Sequence, residues 1–125
     1  MNLSRRILPV MLLLPAAAMA QQPARRGPNG GPVVTADGHP IELVLSGTTL
    51  TLFVSEENGR PMSSARANGR VTVQAAGQTA TVTLAPAEPN RLVGTLAAPL
   101  APGARVVFTG TLSDGHRVTA RYVVE

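Results

Sequence analysis

The sequence predicts an all-β chain, an antiparallel β-sandwich of immunoglobulin-like type with seven or eight short strands. Three observations predict it. Apolar residues alternate with polar ones through most of residues 33–124, the period-2 signature of half-buried strands. Turn signals built on Gly, Asn, Asp and Pro recur about every 8–12 residues. No window beyond residue 20 carries a 3.6-residue apolar stripe, so no helix is expected. A small closed barrel is the alternative architecture. The chain has neither Cys nor Trp, the marks of antibody-type domains, so the expectation concerns architecture alone.

Residues 1–20 read as a cleaved secretory signal peptide. Arg5 and Arg6 form a basic start, residues 7–18 an apolar stretch broken by Pro9 and Pro15, and Ala18-Met19-Ala20 a small-x-small cleavage site. The apolar stretch is shorter than the about 20 residues that cross a bilayer core, so no membrane span is expected after cleavage. Residues 21–32, dense in Gly, Pro and Arg, are expected to be a flexible N-terminal extension. Residues 33–125 then form one β-sandwich domain.

The strands follow in order. Residues 33–35 make a short β-prone start, stopped by the Asp37-Gly38 turn. Ile41, Leu43 and Leu45 share one face of the next run, and Glu42, Val44 and Ser46 the other. Leu50, Leu52 and Val54 alternate with Thr49, Thr51 and Phe53, giving the first full hairpin. Residues 56–69, with two Asn-Gly steps and Pro61, are expected to be a loop. Val71, Val73 and Ala75, then Ala80, Val82 and Leu84, form the clearest hairpin about a Gly77-Gln78 turn. Residues 85–90 are a proline-broken connection and residues 91–97 a weaker strand containing Gly94. Residues 105–112 and 117–124 flank the turn Ser113-Asp114-Gly115-His116.

Composition excludes several functions. Without cysteine there is no thiol redox chemistry, no cysteine nucleophile, and no Cys-based zinc or blue-copper site. Losing the leader leaves nine Arg against seven acidic residues, a net charge of +2, with the arginines dispersed along the chain. Phe53, Phe108 and Tyr122 are the only aromatics, so no aromatic-studded basic face for nucleic acid is expected. No serine stands in a nucleophile-elbow context, and Asp114 and Gly115 have a sufficient role as turn residues. The chain is therefore read as not an enzyme.

Metal binding is the sharper idea. Asp37, His39 and Glu42 lie near the first hairpin, and Asp114 and His116 in the last turn. Imidazole and carboxylate together suit Zn(II), Ni(II) or Cu(II). If residues 39–45 form one continuous strand, His39 and Glu42 face opposite sides. A shared ion then requires a late strand start, or His39 meeting His116 across the domain. Glu42 has a plainer reading as a strand carboxylate that is solvated or paired with an arginine, since a lone buried carboxylate is costly.

An ordered series of short motifs supplies a resemblance. Gly30-Gly31-Pro-Val-Val, Gly38-His39-Pro-Ile-Glu42-Leu-Val, Asn58-Gly59-Arg-Pro61 and Glu88-Pro-Asn-Arg-Leu-Val-Gly94 are joined later by Thr119-Ala-Arg-Tyr122. Together they resemble small exported bacterial β-sandwich proteins that begin with His-Gly-Gly. These proteins are similar to segments associated with periplasmic subunits of heavy-metal efflux systems. The resemblance implies a periplasmic location and a link to metal handling, with His39 and Glu42 as the matching positions. Asn29 stands where the pattern has its histidine.

The functional expectation is a small soluble periplasmic module, non-catalytic, that binds a periplasmic protein partner, for example along an exposed strand edge. The alternative is a metal-binding accessory of an efflux or homeostasis system, using His39, Glu42 and His116. The first reading needs no cofactor, and the second takes Zn, Ni or Cu(II).

Overall fold

A computed structural model describes residues 25–125. The leader expected over 1–20 and the start of the extension lie outside the described residues. Nine strands run in the order β1 (Arg25–Arg26), β2 (Pro32–Ala36), β3 (His39–Ser46), β4 (Thr49–Val54), β5 (Asn68–Ala75), β6 (Gln78–Ala87), β7 (Arg91–Thr95), β8 (Arg105–Thr111) and β9 (Arg117–Val123). All neighbouring strands pair antiparallel, in the spatial order β1-β2-β3-β4-β7-β6-β5-β8-β9. The described residues contain no helix.

Strand β6 turns this order into a curled half-barrel. Its residues 78–84 pair with β5, whereas Ala85, Pro86 and Ala87 pair with β7. One strand thus serves both halves of the sheet. The meander β5-β6-β7 has β8 returning beside β5, a Greek-key connection. The curl brings β2 against β9 without a backbone ladder between them.

Alternation fills the concave face. Ile41 and Leu43 of β3, Leu50, Leu52 and Val54 of β4, Val71 and Val73 of β5, and Val106 and Phe108 of β8 are buried together. Val118, Ala120 and Tyr122 of β9 join this core together with Leu84 of β6 and Leu92 of β7, and outward residues on the same strands are exposed or half-buried, except the buried Glu42. Burying an aliphatic side chain of this kind stabilises a fold by about 1.5–3 kcal/mol. This core is the folding force of a chain without disulfides.

Turns set the registers. Asp37 and Gly38 both have positive φ (49° and 83°), the two-residue hairpin conformation that Asp-Gly favours. The β5–β6 turn is centred on Ala76-Gly77 rather than Gly77-Gln78, because Ala75 pairs with Gln78. Strand β5 also begins at Asn68, two residues inside the expected loop.

The extension differs most from expectation. Arg25 and Arg26 pair with Val33 and Pro32, and the loop 27–31 closes on itself through Gly27 N–H to Gly31 C=O at 2.8 Å. That loop folds over the outer face of β3, so this part of 21–32 is built into the sheet. Gly31 permits the approach: a Cβ there would collide with the Leu43 carbonyl oxygen.

Candidate metal centre

The half-barrel has a seam where β2 and β3 face β9, and side chains bridge it at three levels. Arg26 forms an ion pair with Glu125 at one end. In the middle, the Tyr122 hydroxyl donates to the Ile41 carbonyl at 2.7 Å, and burial, with the Glu42 charge adding to it, pushes the phenol pKa up. At the far end two hairpin turns meet, and both histidines are there.

His39 opens β3 directly after the Asp37-Gly38 turn. Its parity with Ile41 and Leu43 directs it inward, and it is 3% exposed. Nδ1 lies 3.0 Å from the Ser55 carbonyl oxygen. A carbonyl only accepts, so Nδ1 carries the proton of that bond. Nε2 has no hydrogen-bond partner among the described residues and lies 3.2 Å from Asp114 Oδ2. The buried Nε2 thus faces a carboxylate, an arrangement that either a proton on Nε2 or a metal cation between the two atoms satisfies.

The other half comes from the β8–β9 turn. Asp114 Oδ1 accepts the His116 backbone N–H at 3.0 Å, and Oδ2 lies 2.7 Å from His116 Nδ1. The backbone bond from His116, followed by its ring, holds the Asp114 carboxyl below its ordinary range. The same pairing raises the His116 pKa, first through the hydrogen bond to Asp114 and then through the charges of Asp114 and Asp37. Asp37 Oδ2 stands 3.5 Å from His116 Nε2. The two imidazole centroids are 5.1 Å apart.

His39, Asp114 and His116 each offer a ligand atom, and these atoms lie within 4.8 Å of one another. A tetrahedral ion with bonds near 2.0–2.1 Å needs ligand atoms roughly 3.4 Å apart. Holding one ion would therefore require the widest-spaced ligand atoms to approach by up to about 1.4 Å, a movement open to the exposed turn carrying Asp114 and His116 while His39 stays fixed. Beside it lies a shallow cleft of about 430 Å³ lined by Glu56, Glu57, Asn58, Met62, His39 and Asp114. With Asp37, four carboxylates surround two imidazoles, a field that attracts cations.

Glu42 is not part of this centre. Strand β3 is continuous from His39, so the two side chains point to opposite faces. Neither the solvated reading nor the arginine pair describes it. Glu42 is 3% exposed and its carboxylate accepts from Gly31 N at 2.7 Å, Asn29 N at 2.9 Å and Asn29 Nδ2 at 3.1 Å. The loop 27–31 covers it and supplies the donors that a buried carboxylate requires. Asn29, at the position where the resemblance has histidine, is one of them.

The structure thus brings His39 next to His116 and places Glu42 apart from them, and of the two aspartates the sequence offered it sets Asp114 against both rings, with Asp37 close by. A sequence signal for this existed. Both histidines end the tripeptide Asp-Gly-His, at 37–39 and at 114–116, and each tripeptide closes a hairpin at the same end of the sheet. Comparison with protein-family profiles, curated proteins and solved structures finds no match for the chain.

Proposed function

We propose that this chain is a small exported, non-catalytic β-module that binds one divalent transition-metal ion between its two Asp-Gly-His turns, as an accessory to metal handling in the periplasm. One observation carries the reading: the buried Nε2 of His39, without a hydrogen-bond partner and aimed at Asp114 beside His116. Two imidazoles with carboxylates suit Zn(II), Ni(II) or Cu(II). The leader anatomy of residues 1–20 and the resemblance support export and metal handling. A non-catalytic role is supported by the hydrogen bonding of the rings: His39 Nδ1 is engaged by a backbone carbonyl and His116 Nδ1 by Asp114, with no hydroxyl nucleophile bonded to either among the described residues. The curled sheet with one shared strand is compatible with an immunoglobulin-like sandwich in the broad sense.

Calorimetric titration with Zn(II), Ni(II) and Cu(II) tests the reading. Micromolar binding is expected in the parent chain, with loss in His116→Ala and Asp114→Asn, both exposed positions whose replacement leaves the core intact. Absence of heat and of any thermal shift with all three ions refutes it.

A protein partner has its own supporting observation. Residues 78–81 of β6 pair with β5 on one side and, among the described residues, with no strand on the other, an open edge suited to strand addition. A partner captured from periplasmic extract should be lost on Ala80→Lys, which places a charge on that edge; retention by the variant removes this edge from the reading.

A further inference from the structure

Four of the arginines that are dispersed in the sequence are gathered by the fold. Register places Arg70 of β5 beside Thr83 and Thr109, Thr72 beside Val107, and Val107 beside Arg121. Arg105 pairs with Gln74 and Arg117 with Thr111. Antiparallel partners share a face, so these four arginines stand on the outer face of β6-β5-β8-β9. That face spans roughly 15 Å across the strands and 20 Å along them.

Its remaining positions are mostly threonine, among them Thr79, Thr81 and Thr119. No acidic residue occupies it, and none of the four arginines forms an ion pair with a carboxylate among the described residues. The acidic side chains lie instead around the two Asp-Gly-His turns, beneath the 27–31 loop (Glu42), in the 88–90 turn and at Glu125, which pairs with Arg26. Two shallow clefts mark the ends of the face. One, of about 440 Å³, is lined by Arg70, Thr83, Thr109, Thr111 and Arg117; the other, of about 510 Å³, includes Gln74, Thr79 and Arg105.

The geometry points to this face as a binding surface for a linear polysaccharide bearing carboxylate groups. Guanidinium forks match carboxylates in two-point contact, and threonine hydroxyls with Gln74 offer neutral hydrogen bonds to sugar hydroxyls between the charges. Charge complementarity selects a polyanion, and shape selects among polyanions. The face is the convex side of the curl, which a planar bilayer touches along one line but a flexible chain can follow. It carries no aromatic side chain on which bases could stack.

Binding to polygalacturonate, measured by thermophoresis on the full chain, tests the assignment, with neutral dextran, anionic phosphatidylglycerol vesicles and duplex DNA as parallel probes. Polygalacturonate should bind and dextran should not. Affinity should fall at least about tenfold between roughly 20 and 300 mM NaCl, as screening shortens the reach of exposed charges. Arg70→Gln/Arg121→Gln should lose at least about tenfold while keeping the parent thermal midpoint, and Arg25→Gln/Arg60→Gln, outside the face, should bind as the parent does. Lack of polygalacturonate binding at low salt, equal binding by the two double variants, or tighter binding to vesicles or DNA each overturns the proposal.

Discussion

His116 lies between two carboxylates, and its proton is what a metal ion must displace. Its pKa is raised by the Asp114 hydrogen bond first and by the Asp114 and Asp37 charges next. A group raised in the folded state stabilises it fully below its ordinary value of 6.5 and loses that contribution as pH climbs through the raised value. Asp114, lowered chiefly by the His116 backbone N–H, contributes above its ordinary value of 3.8 and loses that as pH falls through its lowered value. The metal-free turn is therefore tightest between about pH 4 and 6.5. Metal binding at the proposed site would follow the opposite trend, since the ring must release its proton. Melts at pH 6 and 8.5 should show the metal-free midpoint falling while the metal-induced increment grows; parallel trends would remove His116 from the ligand set. Glu42 offers a second test at this scale. Glu42→Gln turns a donor toward the N–H groups of Asn29 and Gly31, and a mismatched buried group costs about 1–3 kcal/mol. Urea unfolding should report that loss without any change in metal affinity, because Glu42 lies on the other face of β3 from His39.

Among the elements, the hairpins were the legible part. Asp37-Gly38, the Ser46–Thr49 turn and the 113–116 turn are local devices whose chemistry is carried by adjacent residues, so strands β2 to β4, β8 and β9 follow from short windows. Burial parity was equally legible, since Ile41, Leu43, Val71, Val118 and Tyr122 all alternate as read. The 25–31 segment was not, because its order depends on a carboxylate eleven residues or more away that no local pattern reveals. Nor was the division of β6 between two partners, which is set by the curl rather than by any residue in it. The seam gives this scale its prediction. Tyr122→Phe removes the hydroxyl bond from β9 to the Ile41 carbonyl of β3 while retaining the ring in the core. A loss of about 0.5–1.5 kcal/mol is expected, read from denaturant midpoints. Amide exchange should quicken along β2 and β9 but not along β5; uniform quickening would mean that the bond does not hold the seam locally.

For the whole molecule, the proposed metal centre depends on the curl, which brings His39, Asp114 and His116 together. His39 and His116 are distant in sequence and could be assigned to one ion only once β2–β3 and β8–β9 were known to meet. What the sequence did show was the requirement: if β3 starts at His39, any shared ion must join the first hairpin to the last. The structure brings the two turns together across a seam that lacks a backbone ladder, so an ion bound there would link the two ends of the half-barrel. A ligand held by the folded state alone stabilises it by about 2.7 kcal/mol at a hundredfold excess over its dissociation constant. Domains of this size gain about 4–8 °C per kcal/mol. Saturating Zn(II) or Ni(II) should therefore raise the thermal midpoint by about 10–20 °C, and a chelator should return it. Protection against amide exchange should concentrate on β2, the start of β3 and β9, the strands flanking the ion. Asp37→Asn, at the outer position, should reduce the increment less than Asp114→Asn, which removes the carboxylate that touches both rings. A thermal rise of that size with protection spread evenly over β5 and β6 would place the ion elsewhere, and a rise retained in His116→Ala would exclude the two turns as its site.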